Sequence, residues 1–115
     1  MKVIGLFKNA QRTLRVPPGG VVFREGEPGD DMFGIVEGEI QLSTTSRIIA
    51  TLGVDDVFGE MAIVDSSPRM ATAVATTETT LAVIDRNRFL FLVHETPMFA
   101  LSVMSAMAQR FRAQA

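Results

Sequence analysis

Phe58-Gly59-Glu60-Met61-Ala62-Ile63-Val64-Asp65-Ser66-Ser67-Pro68-Arg69-Met70-Ala71-Thr72 places a carboxylate directly after a glycine and returns an arginine behind a proline-bounded turn. Each residue type here suits an anion with a polar edge. Glycine lets backbone approach a ligand closely. A short helix starting at Gly59 would aim its free amides at negative charge. Arg69 offers a planar fork of donors matched to a phosphate. Ionised Glu60 is an acceptor suited to ribose hydroxyls. A plain structural ion pair between Glu60 and Arg69 is the alternative reading of the same residues.

The stretch resembles the phosphate-binding cassette of the cyclic nucleotide-binding domain family, the β-roll type found in catabolite activators and protein kinase A regulatory subunits. The resemblance rests on Phe58-Gly59-Glu60, Met61-Ala62 and Pro68-Arg69-Met70-Ala71-Thr72, and on the Glu60-to-Arg69 spacing. It implies that Glu60 binds the ribose 2′-hydroxyl and Arg69 the cyclic phosphate. Amides near Met61 and Ala62 and along Met70–Ala71 would help, and Thr72 would support the turn. Leu42 and Ile49 are candidates for the wall against the base, with ordinary core as their other role. Family members favouring cyclic GMP often carry Thr just after the arginine. Met70 stands there, which points to cyclic AMP as the ligand, ahead of cyclic GMP. Aligned on the Pro97 break, the base-contacting hydroxyls of the bacterial catabolite activator would fall near Gln114 and Ala115, which carry none. An adenine lid would then use stacking by Arg110, Phe111 or Arg112.

Working outward, short apolar runs punctuated by Gly and Pro predict many short strands. They are Arg12–Val16, Val21–Phe23, Met32–Val36, Glu39–Ser43, Arg47–Leu52, Ala71–Thr77 and Thr80–Asp85. Pro17-Pro18-Gly19-Gly20 stops the first, since proline has no N–H for a ladder. Glu25 to Asp31 is a solvated turn, Gly38 a tight turn or bulge, and Thr44-Thr45-Ser46 a hairpin tip. This pattern implies an antiparallel barrel or jelly-roll; the resemblance specifies a β-roll with flanking C-terminal helices. The expected layout is one cyclic nucleotide-binding domain over 1–115: lead-in 1–12, roll 13–85, helices 86–113. Leu6 and Phe7 of the lead-in are expected to pack on the roll.

Asp85 or Asn87 can cap a first helix carrying Phe89, Leu92 and Val93 at helical spacing. Thr96-Pro97 breaks it, and Pro97 opens a second. Leu101, Met104, Ala108 and Phe111 form a stripe there, expected to pack on the roll, with a dimer seam as the alternative.

The 115 residues suffice for one domain with a sizeable core. The net charge of −2 argues against direct nucleic-acid binding by this chain. Arg86 with Arg88, and Arg110 with Arg112, read as solvated helix surface. The sequence has no cysteine, so disulfides and thiolate metal sites are excluded. No apolar run reaches spanning length and no signal peptide is apparent, so a cytoplasmic protein is expected. A lone histidine, His94, is too little for a metal enzyme of the cupin type, and no nucleophilic triad can be assembled. The reading is therefore a regulatory, non-enzymatic domain with no metal or other cofactor. Nucleotide binding would reposition its C-terminal helices to regulate an effector protein or effector domain. The alternatives are a β-roll interaction module that has lost its ligand and the sensing part of a transcription regulator.

Overall fold

The computed structural model describes residues 2–114; positions 1 and 115, ends of the expected lead-in and lid, lie outside them. Eight strands form two antiparallel sheets. The first has the order β1 (Thr13–Val16), β8 (Thr79–Ile84), β3 (Met32–Glu37), β6 (Val57–Phe58). The second has the order β2 (Val21–Phe23), β7 (Thr72–Ala75), β4 (Ile40–Ser43), β5 (Ile48–Leu52). The expected β-roll with flanking helices is the observed architecture. All seven predicted strands are present with edges shifted by a few residues. An eighth, β6, lies at the head of the quoted stretch, where two residues are too few to show any period.

Alternation makes the layers. Ile40 and Leu42 of β4 turn inward while Gln41 and Ser43 are half-buried. The inner faces enclose one core that includes Ile35, Ile40, Phe58, Ala73, Ala75 and Leu81. Gly38 adopts φ +100° beside a register shift in the β3–β8 ladder, the expected bulge. The Thr44–Ser46 tip is closed by Thr44 N–H donating to the Arg47 carbonyl at 2.9 Å.

A second core sits outside the first sheet. Phe7 is buried there with Met32, Ile63, Ile84, Leu92 and Phe99, and Leu6 packs against it. Helix α1 is short (Met61–Val64). Helix α2 (Arg86–Glu95) is capped by Asp85, whose Oδ1 accepts from Arg88 N–H at 2.8 Å. Helix α3 (Met98–Gln114) follows after a 120° bend. Among the described residues no single helix is long and apolar enough to cross a membrane.

Helix α3 buries a different stripe from the one expected. Phe99, Ser102, Val103 and Ala106 face the roll, whereas Leu101, Met104, Ala108 and Phe111 are exposed. The polar Ser102 disguised the buried face. Its hydroxyl is satisfied locally by donating to the Phe99 carbonyl at 2.7 Å, so it enters the core without an orphaned group.

Candidate functional site

The quoted stretch begins as β6, in which Phe58 is fully buried. Phe58 stacks on Phe33 at 5.4 Å and tilts against Phe23 at 5.9 Å. Gly59 then takes φ +78°, a left-handed conformation that glycine adopts without strain, and turns the chain into α1. The helix starts at Met61 with Glu60 as its N-cap, two residues later than the sequence suggested. The left-handed glycine cannot itself be helical.

Two loops are zipped together to hold the arginine. Gly26 N–H donates to the Arg69 carbonyl, and Arg69 N–H donates to the Glu27 carbonyl, both at 2.8 Å. The Thr72 hydroxyl accepts from Glu25 N–H at 3.0 Å in the same seam. The Arg69 side chain, 8% exposed, donates from Nη1 to the carbonyls of Asp31 (2.7 Å) and Gly59 (3.3 Å). Its Cζ lies 4.2 Å from the Phe23 ring centroid, a cation–π contact. The Phe58–Phe33–Phe23 cluster is thus the platform under the guanidinium. Nε is buried and has no hydrogen-bond partner. Burial lowers the guanidinium's pKa, opposed by Asp31, Asp30, Glu27 and Glu60.

Beside Arg69 is a cavity of about 440 Å³. Gly59, Glu60, Met61, Ala62, Arg69, Met70 and Ala71 line it from the stretch, Leu42 and Ile49 from the roll, and Arg110, Phe111, Arg112 and Gln114 from α3. Glu60 is 6% exposed and its Oε1 has no hydrogen-bond partner. Burial raises its pKa; Arg110, its own backbone amide and Arg69 oppose that rise. Arg110 Nη1 stands 3.7 Å from Glu60 Oε1, and Nη2 donates to the Val57 carbonyl. Burial lowers the Arg110 pKa, with Glu60 and Asp56 opposing. The arrangement offers an oxyanion a free guanidinium nitrogen and offers a hydroxyl a desolvated carboxylate, within one largely apolar hollow.

This roll, cassette and cavity match a known kind of domain. A family model for the cyclic nucleotide-binding domain covers residues 13–96. The chain belongs to that family. Over 101 residues this domain is 38% identical to a cyclic nucleotide-gated potassium channel of Rhizobium etli, covering 88% of this chain and 28% of the channel. Over 107 residues it is 33% identical to the cyclic AMP receptor protein of Thermus thermophilus, covering 89% of this chain and 49% of the receptor. The crystal structure of the Thermus thermophilus catabolite activator protein superposes with a TM-score of 0.74 at 29% identity, covering 88% of this chain and 50% of that one. The cyclic nucleotide-binding domain therefore spans about a quarter to a half of the length of these relatives.

Phe58 and Thr72, which the cassette resemblance also counts among the ligand-binding residues, lie away from the cavity lining. Phe58 is in the core beside Phe23, and the Thr72 hydroxyl supports the turn, as expected, by accepting from Glu25 N–H. Arg110 is not solvated surface; its side chain is 13% exposed and turned onto Glu60 and Val57. Phe23, Pro68, Met107 and Ala108 also line the cavity and were missed as site residues. Phe23 reads in the sequence as an ordinary strand residue, and the Asp31 carbonyl that anchors Arg69 carries no sequence signal. His94 is on the surface, with Nδ1 at 2.9 Å from Glu95 Oε2.

Proposed function

We propose that this domain binds a cyclic mononucleotide, cyclic AMP in preference to cyclic GMP, and passes the event on through α3. The observation that carries the reading is that three residues lining one cavity, Arg69, Glu60 and Arg110, each hold a buried polar atom without a hydrogen-bond partner, Arg69 Nε and Glu60 Oε1 among them. Buried polar groups without partners are rare in folded proteins, and a ligand that satisfies both recovers the deficit. A cyclic phosphate would complete Arg69 and a ribose hydroxyl would complete Glu60. Leu42 and Ile49 would flank the base. Met70, half exposed on the rim, brings no hydroxyl for a guanine edge. The name of the Thermus thermophilus relative, a cyclic AMP receptor, points the same way.

The output follows from α3. Its last turn lines the cavity, and Arg47 Nη2 from the β4–β5 hairpin donates to the Ala113 carbonyl at 2.7 Å. A ligand that prefers one placement of this turn shifts the population of helix positions. A partner or a further effector domain would read that shift. The exposed Leu101, Met104 and Phe111 supply a surface for a second copy of the helix.

A thermal-shift panel with cyclic AMP, cyclic GMP, linear AMP and buffer tests the binding. Cyclic AMP should raise the melting temperature most, by mass action. A flat panel would refute the reading. The Glu60–Arg110 contact favours a second reading, in which the cavity's charges serve only each other and the roll is an interaction module. That reading predicts the flat panel.

A further inference from the structure

We infer that Gly29, which does not line the cavity, is a positioning residue whose missing side chain leaves the space that the Arg69 guanidinium occupies. This rests on the proposed phosphate role of Arg69. Gly29 sits in the turn between β2 and β3, far along the chain from the cassette. A Cβ there would lie 2.4 Å from Arg69 Nε, 2.4 Å from Nη2 and 2.5 Å from Cζ. Real Cβ atoms do not approach other atoms so closely, so the guanidinium would have to move.

The glycine is there for space. Gly29 is absent from the glycines with positive φ, so its backbone suits any residue, and the three nearest atoms that a Cβ would meet all belong to Arg69. The guanidinium has little room to give way. Nη1 is fixed by the Asp31 and Gly59 carbonyls, and the Phe23 ring packs at 4.2 Å. Gly59 adds a further limit, because a Cβ there would stand 3.0 Å from Nη1. With Nη1 committed, a two-point contact with an oxyanion must use Nε and Nη2. A methyl group at position 29 falls against those two nitrogens. It overlaps Cζ as well, so it displaces the whole guanidinium and strains the Nη1 bonds that aim it.

The test is a double-variant cycle of Gly29→Ala and Arg69→Ala, read in two ways. Without ligand, Gly29→Ala should lower the melting temperature by about 5 °C or more, the scale of an overpacking penalty in a domain of this size. In the Arg69→Ala background the same change should have almost no effect. If Gly29→Ala alone does not fold, folding of the double variant is the same result. Equal losses in both backgrounds would overturn the inference, since they would show a backbone role for the glycine. With cyclic AMP, Gly29→Ala should weaken binding at least about tenfold and add nothing once Arg69 is gone. Unchanged affinity in Gly29→Ala would also overturn it. A wild-type protein that ignores cyclic AMP would instead refute the proposed ligand, while the ligand-free cycle still decides whether Gly29 acts through Arg69.

Discussion

Arg110 Nη1 and Glu60 Oε1 stand 3.7 Å apart, both buried and neither with a hydrogen-bond partner. This is an ion pair held short of full contact. It joins α3 to the carboxylate of the cassette, so the two groups should depend on each other. Removing one member of a buried pair leaves an uncompensated charge. Arg110→Ala should therefore lower stability by about 3 kcal/mol. Adding Glu60→Gln should return much of that loss, because the orphaned charge disappears. Urea unfolding of the single and double variants measures it; simple additivity would refute the coupling.

The same carboxyl sets a pH dependence. Burial raises the Glu60 pKa above its ordinary value of about 4.5. Above that pH the unfolded chain has released a proton that the folded chain still holds. The stability from this group is complete below about pH 4.5 and falls as pH rises through the folded value. Glu60→Gln abolishes this term, so the variant should gain on the wild type as pH rises above about 4.5. A stability difference that stays constant across this range contradicts the buried carboxyl.

Arg69→Ala should weaken cyclic AMP binding by about a hundredfold or more while the domain still folds. Arg69→Lys should fare little better. Its single ammonium cannot hold the Asp31 and Gly59 carbonyls and also present a two-nitrogen edge. Titration calorimetry measures both, and wild-type affinity in either variant excludes the arginine from phosphate recognition.

Helix α3 carries Leu101, Met104 and Phe111 at 48%, 59% and 78% exposure. If a second copy covers them, Leu101→Glu with Met104→Glu should yield a monomer with an intact fold. Sedimentation velocity and circular dichroism together decide. A wild-type protein that is already monomeric at high concentration removes the second copy from the proposal.

Sequence reading succeeded where chemistry is local. Turns at Pro17–Gly20 and Glu25–Asp31, the Asp85 cap and the Thr96-Pro97 break are written in adjacent residues, and the structure has them. The cassette was visible because its glycine, carboxylate and arginine have fixed spacing. Long-range placement was hidden. Arg110 resembled any helix-surface arginine until Val57 and Glu60 were found facing it. Phe58 appeared to belong to the site because it adjoins Gly59, yet β6 pairing turns it into the core. The α3 stripes could not be ranked by hydrophobicity, since the buried one contains Ser102 and the exposed one contains Leu and Met.

The 120° corner between α2 and α3 would set the scale of the proposed helix movement. Phe99, fully buried against the rings of Phe7 and Phe89, would be the fulcrum of that movement, and the far arm ends over the cavity. That arm, from Phe99 to Gln114, is roughly 22 Å long at about 1.5 Å per residue. A swing of about 10° carries its tip about 4 Å, more than the diameter of a water molecule. If the proposed repositioning occurs, a small rotation at the base of α3 would be magnified at its tip, with the aromatic bearing left in place.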